Sequence, residues 1–110
     1  MKLQQMRFII AIADNQLNVS NAAKALYTSQ PGVSRQLRLM EEELDLVIFE
    51  RKGKQIINIT EQGEYVLAGF REVLNKVNEI KNITQCLNNP SAHLRETRKP
   101  YLGSDYAIAV

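Results

Sequence analysis

Three hydrogen-bonding side chains, Ser34, Arg35 and Arg38, share one helical face with Pro31, at i, i+3, i+4 and i+7, and Gln30 stands just ahead of them. Such a set suits the edges of nucleic-acid bases. Arg bonds guanine O6 and N7, Gln bonds adenine, and Ser meets either. An α-helix fits the DNA major groove, and its N-terminus favours a phosphate. Glu41, Glu42, Glu43 and Asp45 crowd the far end, so only the first half of this helix is expected to approach a polyanion. A single Arg taken alone reads more readily as solvated surface. The whole constellation reverses that reading.

Those residues need a scaffold, and the apolar positions supply one. Val19, Ala22, Ala23 and Leu26 recur at helical spacing, and the two alanines allow close approach of a neighbouring helix. Ser20 is expected to be the N-cap of this first helix. The run breaks at Tyr27-Thr28, before a second cap, Ser29. Pro31 is tolerated in a first helical turn, where the N–H it lacks has no intrahelical partner. Val33, Leu37, Met40 and Leu44 then form one stripe opposite the polar face. Two short helices joined by a tight turn make a helix-turn-helix. Upstream, Leu3, Met6, Ile9, Ile10, Ala13 and Leu17 make an amphipathic helix that closes a three-helix core. Arg7 and Lys2 on it read as solvated at least as readily as phosphate contacts.

Beyond Asp45 the period changes. Val47-Ile48-Phe49 and Ile56-Ile57-x-Ile59 read as two short strands flanking a basic hairpin, Glu50 to Gln55, in which Gly53 permits a positive φ. A Lys-Gly-Lys turn in isolation is ordinarily a solvated loop. Beside a base-reading helix it becomes a phosphate clamp.

From Thr60, read as an N-cap, one helix is expected to run to about Leu87. Val66, Phe70, Val73, Val77, Ile80, Thr84 and Leu87 are spaced four, three, four, three, four and three, a heptad seam. A helix of roughly 40 Å, apolar along one side, does not stand alone in water. Leu67, Leu74 and Ile83 widen the stripe, so packing on its own domain is expected as well as on a second subunit. The alternative is an amphipathic helix folded back within one chain. The winged unit offers little surface to cover it, which favours a dimer through Val66, Phe70, Val73, Val77, Ile80 and Leu87.

Residues 3 to 63 resemble the winged helix-turn-helix of the LysR-type transcriptional regulators. The matching residues are Leu3, Met6-Arg7-Phe8, Ala22-Ala23-x-x-Leu26, Ser29-Gln30-Pro31, Ser34-Arg35-Gln36-Leu37, Glu41-x-Glu43-Leu44, Phe49-x-Arg51 and Thr60-x-x-Gly63. Leu17-Asn18-Val19-Ser20 and Leu26 to Gly32 are similar to the branch that controls cysteine biosynthesis and sulfur assimilation, that of CysB and Cbl. The resemblance implies a mainly α fold, a winged helix-turn-helix with a three-helix core and a two-stranded wing, followed by a long linker and dimerisation helix. It implies Arg51, Lys52 and Lys54 as wing residues beside the DNA backbone, joining Ser29, Gln30, Pro31, Ser34, Arg35 and Arg38. It also implies linker-helix dimer contacts and a palindromic site read by two such domains. Two departures stand out. Asp45 replaces the Gly that ordinarily ends the recognition helix in a left-handed conformation, which Asp adopts at modest cost. Leu39, off the buried stripe, is expected to be exposed and without function.

Composition fits this reading. One Cys and no Trp in 110 residues, with no apolar run near the roughly 18 residues of a membrane span, describe a cytoplasmic chain with no membrane contact. The net charge of +2 is small for a nucleic-acid binder, but residues 1 to 60 hold eight Lys and Arg against six acids, three of them at the end of one helix. The only His, His93, and the only Cys, Cys86, make no catalytic constellation or metal site, so neither an enzyme nor a cofactor is expected. The expected organisation is a DNA-binding domain at 1–60, a dimerisation helix at 61–87 and an irregular tail at 88–110, where relatives enter an effector-sensing domain. No inducer site is expected in these residues. The expected function is a dimeric, or higher homo-oligomeric, regulator of sulfur and cysteine genes that binds double-stranded DNA. The alternative is an interaction module that heterodimerises with full-length regulators and does not respond to inducer.

Overall fold

The structure is a computed structural model and describes residues 1–88. The expected tail therefore lies, beyond Asn88, outside the described residues, as does His93. The element order is α1 (Leu3–Asp14), α2 (Val19–Ala25), α3 (Gln30–Leu44), β1 (Phe49–Lys52), β2 (Gln55–Ile59) and α4 (Glu61–Asn88). This is the mainly α, winged helix-turn-helix architecture expected.

Local chemistry sets each boundary. Asn18, not Ser20, caps α2: its Oδ1 accepts from Asn21 N–H at 2.9 Å, while Ser20 lies inside the helix and exposed. Both residues satisfy the cap preference, and the one two residues earlier wins because Val19 is already helical. Ser29 caps α3 as expected, its Oγ accepting from Gly32 N–H at 3.1 Å.

The exits of α2 and α3 share a device. Thr28 N–H bonds Ala23 O at 2.9 Å and Tyr27 N–H bonds Lys24 O at 3.2 Å, with Tyr27 at φ 55. Leu46 N–H bonds Glu41 O and Asp45 N–H bonds Glu42 O, both at 3.2 Å, with Asp45 at φ 55. These are paired C-terminal bonds of the Schellman type, built on non-glycine residues. Asp45 thus takes the left-handed conformation anticipated for it.

The core gathers Met6, Ile9, Ile10 and Ile12 of α1, Ala22 and Ala23 of α2, and Val33, Leu37 and Met40 of α3, joined by Ile48, Phe49, Ile56, Leu67 and Phe70. The alanines pack as their small size allows. Ile12, outside the expected stripe, is fully buried, whereas Leu3 is exposed. Leu39 is half-buried rather than exposed.

The wing is an antiparallel ribbon closed by a two-residue turn at Gly53-Lys54, with Gly53 at φ 63. Its first strand starts later than expected and takes in Arg51 and Lys52. Phe49 pairs with Ile59 and Glu50 with Asn58, but Arg51 pairs with Ile56, so Ile57 is surplus. This β-bulge restores both Ile56 and Ile59 to the core side, although they are three residues apart. Ile57 itself is exposed.

Two compact units are distinguished, Met1–Leu74 and one beginning at Asn75. The core therefore does not stop at the expected boundary of residue 60. Thr60 caps α4, its Oγ1 accepting from Gly63 N–H at 2.8 Å, and the first turns of the helix bury Gly63, Leu67 and Phe70 in the winged unit. A bidentate pair joins Arg71 to Asp14, at 2.7 and 3.3 Å. That hydrogen-bonded carboxylate, outweighing partial burial, raises the Arg71 pKa above its ordinary value. In the second unit, Lys76 pairs with Glu79 at 3.1 Å, and Ile80, Ile83 and Leu87 are exposed. No helix among the described residues is long and apolar enough to cross a membrane.

Candidate nucleic-acid interface

Two concavities lie on the side of α3 that faces away from Val33, Leu37 and Met40. One, of about 340 Å³, is lined by Gln30 and Ser34 of α3, Arg51, Lys54, Gln55 and Ile56 of the wing, and the Gln16–Ser20 approach to α2. The other, of about 630 Å³, is lined by Pro31, Ser34, Arg35, Arg38, Glu41 and Arg51. Ser34 and Arg51 line both, so the two form one continuous polar face. Folding thus brings together seven of the nine residues expected to meet DNA. They come from two segments, 30–38 and 51–54, that are separate in sequence but adjacent in space.

The remaining two differ. Ser29 is exposed, but its hydroxyl is already engaged as the α3 cap. Lys52 is exposed on β1 and lines neither concavity, because it alternates with Arg51 along the strand. Arg51 points back toward α3 and Lys52 away from it.

Charge on this face is partly neutralised from within. Arg38 Nη1 pairs with Glu42 Oε2 at 3.3 Å, one helical turn along, with both side chains more than half exposed. Glu41 is more deeply involved. Its Oε2 accepts from Ile48 N–H at 2.8 Å and Phe49 N–H at 3.3 Å, and its Oε1 lies 4.0 Å from Arg51 Nη2. Reading the acidic run as a block concealed this, since only a structure shows which of three consecutive glutamates turns toward the wing. Arg35 is exposed. It is in none of the ion pairs among the described residues.

Gln16, Asn18 and Gln55 were missed as lining residues. Gln16 sits at φ 62 and Leu17 at φ 60, a pair of left-handed residues that folds this loop back toward α3. Nothing in the residue types marks that turn, because neither is Gly, Asn or Asp.

The residues expected on the dimer seam divide. Phe70, only 5% exposed, is committed to the core of its own chain, and Val66 is half-buried against the same core. The seam periodicity is shared by an intramolecular face, so spacing alone does not separate them. Val73, Ile80 and Leu87 are exposed and Val77 is half-buried. Cys86 is a half-buried free thiol. Among the described residues no cluster of His, Cys, Asp or Glu could hold a metal ion.

Comparison with known proteins places this geometry. The profile of the family described as "Bacterial regulatory helix-turn-helix protein, lysR family" matches residues 3–64. The chain is 47% identical over 91 residues to the HTH-type transcriptional regulator CysB of Haemophilus influenzae, covering 83% of this chain and 28% of that protein. It is 36% identical over 108 residues to the HTH-type transcriptional regulator Cbl of Klebsiella aerogenes, covering 98% of this chain and 34% of that protein. This chain thus spans about a third or less of these relatives' length. Among solved structures, the CbnR DNA-binding domain in complex with DNA aligns with a TM-score of 0.72 at 29% identity, over 81% of this chain and all of that one. The BenM DNA-binding domain on its benA site 1 DNA aligns at 0.73 and 27% identity, over 81% and 98%. These relatives are transcriptional regulators, not enzymes. With the winged fold, the capped α3 and the motif residues all in register, the chain belongs to the lysR family of bacterial regulatory helix-turn-helix proteins.

Proposed function

We propose that this chain is a sequence-specific DNA-binding module of a transcriptional regulator, with α3 as its recognition helix. The observation that carries it is the two-sided character of α3. Val33, Leu37 and Met40 are fully buried on one side, while Gln30, Ser34 and Arg35 meet Arg51 and Lys54 around one polar face on the other. Base-reading donors flanked by backbone-binding cations are what a major-groove reader needs. The DNA complexes of the CbnR and BenM domains, with the same fold, support this reading.

The finer proposals rest on it. The relatives' names support sulfur-assimilation and cysteine-biosynthesis genes as the target. The exposed Val73, Ile80 and Leu87 support a homodimer through α4, which would read the two halves of a palindromic site. The location that goes with it is the bacterial cytoplasm.

The experiment is a titration of the chain against a palindromic operator from such a gene and a scrambled duplex, each at two salt concentrations. Specific binding appears as a preference for the operator that persists at higher salt. Equal weak binding to both duplexes would overturn the proposal and favour an interaction module.

A further inference from the structure

We propose that Glu41 is a positioning residue for DNA binding, holding the base of the wing against α3 and presenting Arg51 to the sugar–phosphate backbone. The inference rests on the DNA-binding reading above. It starts from a carboxylate in an unusual place. Glu41 lies on α3 among the acids at its end, where electrostatics alone makes it a liability for a polyanion reader. Yet its side chain is only 17% exposed, and both of its oxygens are engaged. One accepts the backbone N–H groups of Ile48 and Phe49, and the other faces the Arg51 guanidinium.

Ile48 and Phe49 are where the chain enters β1, and both side chains are fully buried. An N–H left unbonded there carries a desolvation cost, so the carboxylate fixes the start of the strand. Arg51 follows two residues later, on the same side of the strand as Phe49. Its guanidinium has five N–H donors in a rigid fork. At 4.0 Å the Glu41 contact is loose, so Arg51 keeps donors for a phosphate while being held toward the concavity it shares with Ser34, Arg35 and Arg38. One side chain of the base-reading helix thereby sets where a backbone-binding side chain of the wing stands.

Charge bookkeeping and positioning make opposite forecasts for Glu41→Gln. Removing a negative charge beside DNA should tighten binding, whereas releasing Arg51 should weaken it. The experiment compares the wild-type chain with Glu41→Gln, Arg51→Ala and the double variant on operator DNA across a salt series. Glu41→Gln keeps an acceptor for the two N–H groups, so folding is preserved. Amide hydrogen exchange at Ile48 and Phe49 confirms it by staying slow, and it should accelerate in Glu41→Ala. We expect Glu41→Gln and Arg51→Ala each to weaken binding about five- to tenfold and to lower the salt slope by about one. The double variant should be no worse than either alone. Unchanged or tighter binding by Glu41→Gln, additive losses in the double variant, or unaltered exchange in Glu41→Ala would overturn the proposal. Wild-type protein with no operator preference would instead overturn the DNA-binding reading from which it starts.

Discussion

Gly63, in the first turn of α4, lies against the backbone carbonyl of Ile48 with no room for a Cβ between them. The same carbonyl accepts from Thr60 N–H at 3.0 Å, and Thr60 Oγ1 lies 3.1 Å from it. The entry to the wing and the start of α4 therefore meet backbone to backbone.

Gly63→Ala should destabilise the chain by about 1–3 kcal/mol, the range for forcing a methyl group into a packed site. The obstacle is main chain, which cannot swing aside. Urea unfolding monitored by circular dichroism should show a lower midpoint with an unchanged slope.

Thr60→Val should cost about 1–2 kcal/mol, because the hydroxyl both caps α4 and donates to Val47 O at 2.6 Å. Thr60→Ser keeps the oxygen and should recover most of the loss. Equal destabilisation by both variants would show that the hydroxyl alone does not carry the effect.

Tyr27 and Asp45 should each tolerate glycine with a gain. Tyr27 is 97% exposed and left-handed, so Tyr27→Gly removes strain without removing packing. We expect a stabilisation of about 0.5–1 kcal/mol, the relief of left-handed strain less the added freedom of the unfolded chain. Asp45→Gly should gain less, since Asp suits that conformation better. Thermal melts of the two variants beside wild type measure the difference.

On DNA, Arg35→Ala should cost about 1–3 kcal/mol on the operator and relax base preference. Lys52→Ala should weaken all sequences alike and lower the salt slope by about one. Glu42→Gln frees Arg38 from its exposed partner and should strengthen binding by up to about 1 kcal/mol at low salt. Fluorescence anisotropy against operator and scrambled duplexes separates the three.

For the proposed dimer, Ile80→Asp and Leu87→Asp should shift the chain toward monomer. At 61% and 56% exposure, neither side chain supports the fold of a single chain. Sedimentation velocity at matched concentration should show a smaller species while the melt of the winged unit is unchanged. Phe70→Asp should instead unfold that unit.

What the sequence disclosed depended on how local the cause was. The α3 stripe, the Ser29 cap and the Thr60 cap follow from spacing and residue type within one turn of helix, and the left-handed Asp45 from the resemblance, which puts a Gly at that position. Their outcomes match the expectation. The α2 cap was misplaced by two residues because Asn18 and Ser20 are chemically equivalent candidates. Phe70 was assigned to a second subunit because a heptad seam does not say which partner fills it. Glu41, Gln16 and Gln55 became visible only when the chain folded, since each acts on residues from another element. Gly63 was noticed as part of a resemblance, but its reason is a carbonyl fifteen residues away.

A one-residue count settles the wing's handling of water. Were the two strands paired without the bulge, strict alternation from Ile59 would turn Ile57 inward and Ile56 outward. The surplus residue works as a frame corrector, letting a greasy triplet with uneven spacing present a dry underside to the helices. A ribbon paired in that regular register would meet its neighbours with the wrong surface.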